Sequence, residues 1–344
     1  MRREALRALI ATTALLGCGG EAGTTTDAGT TADATTGADT DTSTAGTDTA
    51  GTTGTDSTDT AGGSDSDTDV TDTDSPDSDT DVEPLGCNGH VELCDRAFDQ
   101  VAFATTHNSH ATKADGYPQL IANQTSGLAD QLEDGVRGLL MDIYLFEGTT
   151  HACHGPCTLA SQPHAELLAT LRDFMDAHPR EVVTIIYEDY VEPALFVDDF
   201  AAAGLDGLVY AHEPGTPWPT LGAMIEADTR LVVTAESGGP PPPWFHHVWD
   251  VAWDTPYEYM DAAEFSCEPN RGDPGNDLFL LNHWVSNEFK LPSEDDAAIV
   301  NQFDVLHGRA ALCQEVAGQL PNFIAVDFYE RGDLVAVVDA LNGV

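Results

Sequence analysis

The sequence predicts an α/β fold in which eight strands, alternating with helices or loops, form a closed parallel barrel. Three observations support this. Short apolar runs recur along the second part of the chain, segments of helical spacing lie between them, and titratable residues follow several of the runs. Residues 84–344 provide enough chain for one such barrel. A doubly wound open sheet remains the alternative.

Residues 1–18 have the composition of a secretory signal. Arg2, Arg3 and Arg7 precede the apolar run 8–16, which is too short to span a bilayer. The run ends in LLGC and resembles a bacterial lipobox, in which Cys18 would be lipidated. An ordinary signal peptide with an incidental cysteine is the alternative. We expect the protein to be an exported lipoprotein. Its N-terminal lipid would anchor it to a membrane or cell surface.

Residues 19–83 consist almost entirely of Thr, Asp, Ser, Gly and Ala, without Lys, Arg or aromatic residues. Such a segment buries too little apolar surface to offset the entropy of ordering, so we expect a disordered linker. The whole chain has 59 acidic against 13 basic residues and a formal net charge of −46. This charge argues against nucleic acid and anionic lipid surfaces as electrostatic partners. We expect a monomer.

The elements follow one another as strand and helix. The first strand lies in the stretch 101–109 (VAFATTHNS), an apolar run that ends in polar residues. Further strands are predicted at residues 138–145, 150–153, 181–188, 208–210, 230–235, 278–284 and 323–329. Helices are predicted at residues 119–132, 165–177, 196–203, 221–226 and 293–313, with a long irregular segment at 236–277.

Six cysteines follow Cys18, an even number that indicates disulfides in an exported domain. Local pairing would join Cys87 to Cys94, Cys153 to Cys157, and Cys267 to Cys313. A zinc site at CHGPC is the alternative, but no second pair of ligands lies near it at suitable spacing.

Polar residues stand at or after the ends of most predicted strands. In a parallel barrel the carboxyl ends of all strands meet at one mouth. Enzymes with this fold have their active sites there. Two histidines there suit acid and base roles, because their ordinary pKa lies near neutral pH. The residues at this predicted mouth are His107, Asn108, Asp142, His154, Glu188, Asn282, His283 and Asp327.

Four motifs in this order, THNS, GVRGLLMDIY, CHGPC and EVVTIIYED, resemble the catalytic X region of phosphatidylinositol-specific phospholipase C. LFLLNHW and PNFIAVDFY resemble exported, single-domain members of that superfamily. The resemblance implies a distorted TIM barrel and a phosphoric diester hydrolase. It implies that His107 is the general base, His154 the general acid, and Asp327 the carboxylate that orients His107.

The resemblance also implies a Ca²⁺ cofactor, because Asp142 stands where metal-independent members have an arginine. Asn108, Asp142 and Glu188 match three oxygen ligands of the calcium-dependent branch. The fourth ligand is usually a carboxylate, and Leu140 occupies its position. Water or Asp189 would then complete the site. The alternative is that the carboxylates only orient the histidines.

The expected substrate is a phospholipid with an unphosphorylated inositol head group, a glycosyl-inositol lipid or a related phosphodiester. Where relatives carry lysines for extra phosphates, this chain has Thr234 and Glu236, and a carboxylate repels phosphate. Arg271 would bind phosphate or brace a carboxylate. The aromatic-rich segment 240–257 would wall the pocket, dip into a membrane or form a lid on the rim. Further substrate-binding candidates are Asn282, His283 and Tyr329.

Two alternatives to this function remain. One is a catalytically silent lipoprotein that binds inositol lipid or glycan, which Leu140 favours and the pair of histidines disfavours. The other is a glycerophosphodiester phosphodiesterase, but its HRG-type first strand and paired glutamates on the second strand are missing from the sequence.

Overall fold

The computed structural model describes residues 86–344. The predicted signal, Cys18 and the linker lie outside the described residues. Within these residues no helix is both long and apolar enough to cross a membrane.

The centre of the fold is a curled sheet of eight parallel strands that forms a distorted barrel. The strands of the protein are β1 (Phe103–Thr106), β2 (Gly138–Phe146), β3 (Thr149–Ala152), β4 (Gln162–Pro163), β5 (Val183–Tyr190), β6 (Leu231–Ala235), β7 (Phe245–His247), β8 (Ala252–Asp254), β9 (Leu278–His283) and β10 (Phe323–Val326). The eight parallel strands follow the order β7-β6-β5-β2-β1-β10-β9-β8, and within the described residues no ladder joins β7 to β8.

Seven α-helices accompany the described sheet, and several of them lie between successive parallel strands. Thr220 and Ser293 each cap the helix that follows them through a side-chain oxygen. The helices are α1 (Leu128–Glu133), α2 (His164–Ala177), α3 (Pro193–Ala203), α4 (Leu221–Glu226), α5 (Glu294–Val300), α6 (Phe303–Ala317) and α7 (Leu334–Asn342).

Alternate residues of each strand belong to two separate cores. Ile324 and Val326 of β10 pack with the outer helices, whereas Phe323 and Ala325 pack inside the barrel. The same alternation holds on β9, β6 and β2. A polar residue that continues the inner series past the end of a strand therefore faces the mouth of the barrel.

The predicted strand count is right, but the predicted membership of the sheet is wrong in three places. Residues 149–152 form β3, an antiparallel hairpin with β2 rather than a barrel strand. Residues 208–210 contribute only a bridge between Val209 and Leu231. The irregular segment 236–277 contains β7 and β8, which supply the two missing parallel strands.

Three other boundaries differ from the prediction. Of residues 119–132, only those of α1 are α-helical. The predicted helix 293–313 is two helices, because Asn301 and Gln302 interrupt it, and Asn301 donates to the carbonyl of Asp327 instead. The last strand ends at Val326, since Phe328 adopts a left-handed backbone with φ of 46°.

The three predicted disulfides are present, joining Cys87 to Cys94, Cys153 to Cys157 and Cys267 to Cys313. In the aromatic-rich segment, Phe245 and Trp253 are fully buried in β7 and β8. These two aromatic side chains therefore pack in the core between the sheet and the outer helices rather than in a lid.

Candidate active site

The mouth is built around His107, the first residue after β1. Its Nδ1 lies 2.8 Å from Oδ1 of Asp327, which follows β10. That same oxygen accepts a hydrogen bond of 2.9 Å from the amide of Asn123. The side chain of Asp327 is almost completely buried, so the imidazole is tied to a carboxylate that water does not reach. This pairing is the one predicted from the resemblance.

His154 stands in a short loop that the disulfide between Cys153 and Cys157 closes. Its Nδ1 donates to the carbonyl oxygen of Ile121 at 2.6 Å, because a carbonyl can only accept. Nε2 therefore remains for another partner. Burial is the main influence on its pKa and lowers it, and the charge of nearby His107 lowers it further. His154 therefore lies close enough to His107 for the charge of His107 to affect its pKa.

Asp142 and Glu188 lie side by side on the neighbouring strands β2 and β5. They are partners in the parallel ladder between β2 and β5, and both continue the inner series of their strands. Burial first, and then the charges of Glu188 and Glu236, raise the pKa of Asp142 well above its ordinary value. The hydroxyl of Tyr190 donates to Glu188. This side of the mouth concentrates negative charge.

Asn108 connects the carboxylates to the base. Its backbone is left-handed, with φ of 47°, and its amide lies between Asp142 and Nε2 of His107. With nitrogen toward Asp142, the amide donates to both carboxylate oxygens at 3.1 Å. With oxygen there, the amide oxygen faces both carboxylate oxygens, and either a proton on Asp142 or a bound cation would satisfy them.

The predicted calcium ligands therefore form a set of hard oxygen donors. Asn108, Asp142 and Glu188 meet at one place, and this chemistry fits Ca²⁺. Leu140 packs inside the barrel, and Asp189 lies on the opposite face of β5, where it accepts from the backbone of Ser237 at 2.7 Å. Within residues 86–344, no three His, Cys, Asp or Glu side chains are grouped as a metal site. Water or substrate would complete any coordination.

Arg271 is held by two carboxylates at the β6 and β8 side of the mouth. It donates to both oxygens of Glu236 at 2.8 and 2.9 Å and contacts Asp254 at 2.6 Å. Trp249 and Tyr257 lie against the guanidinium, at 4.4 and 4.7 Å from its carbon to their ring centres. Of the two predicted roles of Arg271, the geometry matches the brace.

The carboxylates of this brace have shifted pKa values. Burial raises the pKa of Glu236 to about 7, even though Arg271 acts in the opposite direction. Burial also raises the pKa of Asp254, against Arg271 and against the amide of Asn282, which donates to it at 3.0 Å. Asn282 is thus near the mouth but is committed to Asp254.

The structure does not bring His283 and Tyr329 to this cluster. His283 is fully buried on the outer face of β9, where it hydrogen-bonds to the carbonyl of Val300 at 2.9 Å, and burial lowers its pKa to about 3. Adjacent strand residues face opposite sides, so Asn282 and His283 cannot both face the mouth. Tyr329 directs its hydroxyl to Asp134 at 2.7 Å.

Three residues of the site are not predicted from the sequence. Trp284 stacks on His107, Asn123 binds Asp327, and Asp254 anchors Arg271. Trp284 had a usable signal, because it continues the inner alternation of β9. Asn123 had none, because it comes from an irregular loop whose path the sequence does not reveal.

A cleft of about 460 Å³ lies beside the carboxylate side of the mouth. Leu145 and Tyr190 line it from the ends of β2 and β5, and Ser237 and Gly238 line it just after β6. Both side chains from the strands are about half exposed. Asp142, Glu188 and the two histidines of the mouth are not among its lining residues, so the cleft adjoins the candidate site without containing it.

Comparisons with known proteins agree with this architecture. The family model PI-PLC X 1 matches residues 93–342. A PI-PLC X domain-containing protein of Arthroderma benhamiae is 29% identical over 76% of this chain and 91% of its own length. An uncharacterized secreted protein of the same fungus is 25% identical over 77% of this chain and 64% of its own length. A phosphatidylinositol-specific phospholipase C from Staphylococcus aureus has the same fold, with a TM-score of 0.52, 12% identity, and coverage of 73% of this chain and 95% of that one.

Proposed function

Because the chain belongs to the PI-PLC X family, we propose that it is a phosphodiesterase of phospholipase C type that cleaves phosphatidylinositol-like lipids. The observation that carries the proposal is the anchoring of two histidines at one mouth. Nδ1 of His107 is bound to a carboxylate and Nδ1 of His154 to a carbonyl, so the second ring nitrogen, Nε2, is the one that each histidine would use toward substrate. Nε2 of His107 lies 3.2 Å from the amide of Asn108, a contact that the substrate hydroxyl would replace.

In the proposed first step His107 acts as the general base. Its Nε2 takes the proton from the head-group hydroxyl next to the phosphate, and that oxygen attacks phosphorus. The bond from phosphorus to the glycerol oxygen breaks, and protonated His154 delivers a proton to the departing oxygen. The products are a cyclic phosphodiester and diacylglycerol. Asp327 stabilises the imidazolium that forms on His107.

Water opens the cyclic product in the second step, with the two histidines in exchanged roles. His154 is then the base that activates water, and His107 returns its proton to the oxygen that it first deprotonated. Each histidine regains its starting protonation state, so the cycle needs no further acid or base.

Negative charge on the phosphoryl oxygens requires a positive group nearby. Arg271 is already bound to Glu236 and Asp254. Asn108, Asp142 and Glu188 would hold a divalent cation, which we propose is Ca²⁺. When bound, such an ion supplies positive charge to the phosphoryl group.

The proposed head group is an inositol ring without extra phosphates, or a related unphosphorylated ring. Glu236 faces the inside of the barrel at the end of β6, and a carboxylate repels phosphate but accepts hydrogen bonds from hydroxyl groups. We place the protein outside the cell on a lipid anchor at Cys18. The disulfides and the secreted relative support export.

The test is release of phosphorylated inositol from phosphatidylinositol vesicles by the purified protein, with Ca²⁺ and with a chelator. We expect His107→Ala and His154→Ala to lower the rate by about 10²- to 10⁴-fold each. His178→Ala is the control, since that histidine is partly exposed, follows α2 and pairs with Glu133 of α1. Full activity of either mouth variant would refute the mechanism. Equal turnover of a bisphosphorylated inositol lipid would refute the head-group preference.

A further inference from the structure

The proposed base and its carboxylate stand just beyond two neighbouring strand ends. Thr106, the last residue of β1, pairs with Val326, the last residue of β10. His107 and Asp327 are the next residues, and the backbone N–H of His107 donates to the carbonyl of Val326 at 3.0 Å. The ladder between the two strands ends there. The distance between the two side chains therefore depends on the groups that bind the backbone at this point.

Gln124 binds the backbone on both sides of this point. Its amide nitrogen donates to the carbonyl oxygens of His107 at 2.8 Å and of Val326 at 3.0 Å. Its amide oxygen accepts from the backbone N–H of Tyr329 at 3.2 Å. The side chain is fully buried, so solvent does not compete for these hydrogen bonds. One side chain thus joins the end of β1 to the chain before and after Asp327.

The chain after Asp327 depends on such contacts because its backbone is strained. Phe328 has φ of 46°, in the left-handed region that a bulky residue rarely adopts. Conformations of this kind persist only where the surrounding structure holds them. Here the carbonyl of Asn123 accepts from the N–H of Phe328 at 2.7 Å. Gln124 accepts from the next N–H, that of Tyr329. The two adjacent loop residues therefore fix the direction in which the chain leaves β10.

From these contacts we infer that Gln124 is a positioning residue for the general base and acts through the backbone. The inference rests on the proposed function, because it concerns the alignment of His107 with Asp327. The three hydrogen bonds of the Gln124 side chain all go to main-chain atoms. Its loss would loosen the spacing of the base and its carboxylate, and poorly aligned groups transfer protons slowly. Head-group binding should persist, because a fully buried side chain does not contact substrate.

Asn322 forms a matched set of hydrogen bonds at the opposite end of the barrel. Its amide nitrogen donates to the carbonyl oxygens of Asp99 at 2.9 Å and of Val101 at 3.0 Å. Its amide oxygen accepts from the N–H of Phe279 at 2.9 Å, and the side chain is fully buried. Like Gln124, it binds two carbonyls and one N–H, but it joins the chain that enters β1 to the start of β9. Its substitution removes equivalent contacts far from the base.

The experiment compares Gln124→Met with Asn322→Leu, since each replaces a buried amide by an apolar side chain of similar size. The measurements are kcat and KM on phosphatidylinositol, at a temperature where melting curves show both variants to be folded. For Gln124→Met we expect kcat to fall about 10-fold with little change in KM, because misalignment affects the chemical step. For Asn322→Leu we expect kcat to stay within about 2-fold of the wild type.

A double-mutant cycle separates positioning from a general loss of structure. If Gln124 acts through the base and its carboxylate, Gln124→Met should lower kcat by less than about 2-fold in a protein that already carries Asp327→Asn. A role in stability alone predicts the same loss in both backgrounds. Additive losses in the cycle, or equal losses in Gln124→Met and Asn322→Leu, would overturn the inference.

A second readout does not depend on turnover. The proton that Nδ1 of His107 donates to Asp327 gives a low-field NMR signal, whose position at one fixed pH reports the strength of that hydrogen bond. We expect Gln124→Met to move this signal upfield and Asn322→Leu to leave it in place. An unmoved signal in Gln124→Met would overturn the inference.

Two further outcomes are distinguishable. An inactive wild-type protein would count against the proposed function, and the NMR comparison would still decide the role of Gln124. If Gln124→Met does not fold, Gln124→Ala replaces it, because water can fill the space and bind the freed backbone groups without joining the two strands. The same fall in kcat and the same upfield movement are expected, and their absence would overturn the inference.

Discussion

The two histidines of the mouth are anchored in chemically different ways. His107 is bound through Nδ1 to the buried carboxylate of Asp327 and stacks on Trp284. His154 is bound through Nδ1 to the neutral carbonyl of Ile121, in a loop closed by a disulfide. A carboxylate stabilises the protonated form of an imidazole that forms beside it. Burial beside a neutral carbonyl favours the neutral form of the imidazole instead.

This difference supports the roles proposed for the two histidines. The ring beside Asp327 is suited to take the proton of the attacking hydroxyl. The ring with the lowered pKa is the stronger acid and is suited to protonate the leaving oxygen. The predictions below remove or weaken one anchor at a time.

The largest effect is expected from Asp327→Asn, which replaces the carboxylate by an amide of the same size. Without the negative charge the imidazolium loses its main stabilisation, so kcat on phosphatidylinositol should fall by about 10²-fold or more. Asp199→Asn is the matched control, because Asp199 binds Nδ1 of His164 at 2.7 Å outside the mouth. If both substitutions lower kcat equally, the carboxylate anchor has no special role.

A smaller effect should follow from opening the loop that carries His154. Replacing Cys153 and Cys157 together by Ser frees this loop, and we expect kcat to fall about 10-fold because a misplaced acid transfers its proton poorly. Activity on phosphatidylinositol is the measurement. The Cys87→Ser, Cys94→Ser pair removes the disulfide of the amino-terminal segment and should leave kcat unchanged. The opposite pattern would show that the disulfide is only a stabilising link.

The pH dependence of kcat/KM also distinguishes the two histidines. The basic limb of kcat/KM reports loss of the proton from the general acid. Because burial lowers the pKa of His154, this limb should lie below the pH expected for an ordinary histidine, whose pKa is 6.5. The measurement is kcat/KM on phosphatidylinositol across the neutral range at constant ionic strength. A basic limb above that pH would contradict the assignment.

The smallest predicted effect concerns stability on the carboxylate side. Folding raises the pKa of Glu236 from its ordinary 4.5 to about 7, so the folded protein holds this proton more tightly than the unfolded chain. That contribution to stability is full below pH 4.5 and is lost as the pH rises through 7. Thermal unfolding of Glu236→Gln in chelator should therefore shift in favour of the variant between pH 5 and 8. Exposed Glu213→Gln is the control.

Much of the fold could be predicted because long strands carry periodic signals. β2 and β5, with nine and eight residues, were found nearly at their observed bounds. β7 and β8 have three residues each, which is too short for an alternation to be visible. β3 looks like any short strand, and only its ladder with β2 shows that it runs antiparallel.

Some residues of the site could likewise be predicted from the sequence, and others could not. Asp142 and Glu188 lie within the long strands β2 and β5, and His107 follows β1, so strand alternation predicts that all three side chains face the inside of the barrel. His283 was misjudged because it follows Asn282 by one position and so faces the outer helices. The partners of Arg271 depend on β8, which the sequence did not reveal, so its brace with Asp254 became visible only in the structure.

The choice of leaving group distinguishes the proposed base, His107, from the proposed acid, His154. An inositol phosphodiester whose glycerol is replaced by nitrophenol releases a group that leaves without a proton. We expect His154→Ala to lose activity on the lipid but to stay within about 10-fold of the wild type on the nitrophenyl ester. We expect His107→Ala to lose activity on both substrates. Equal losses of His154→Ala on both substrates, or rescue of His107→Ala by the ester, would contradict the assignment.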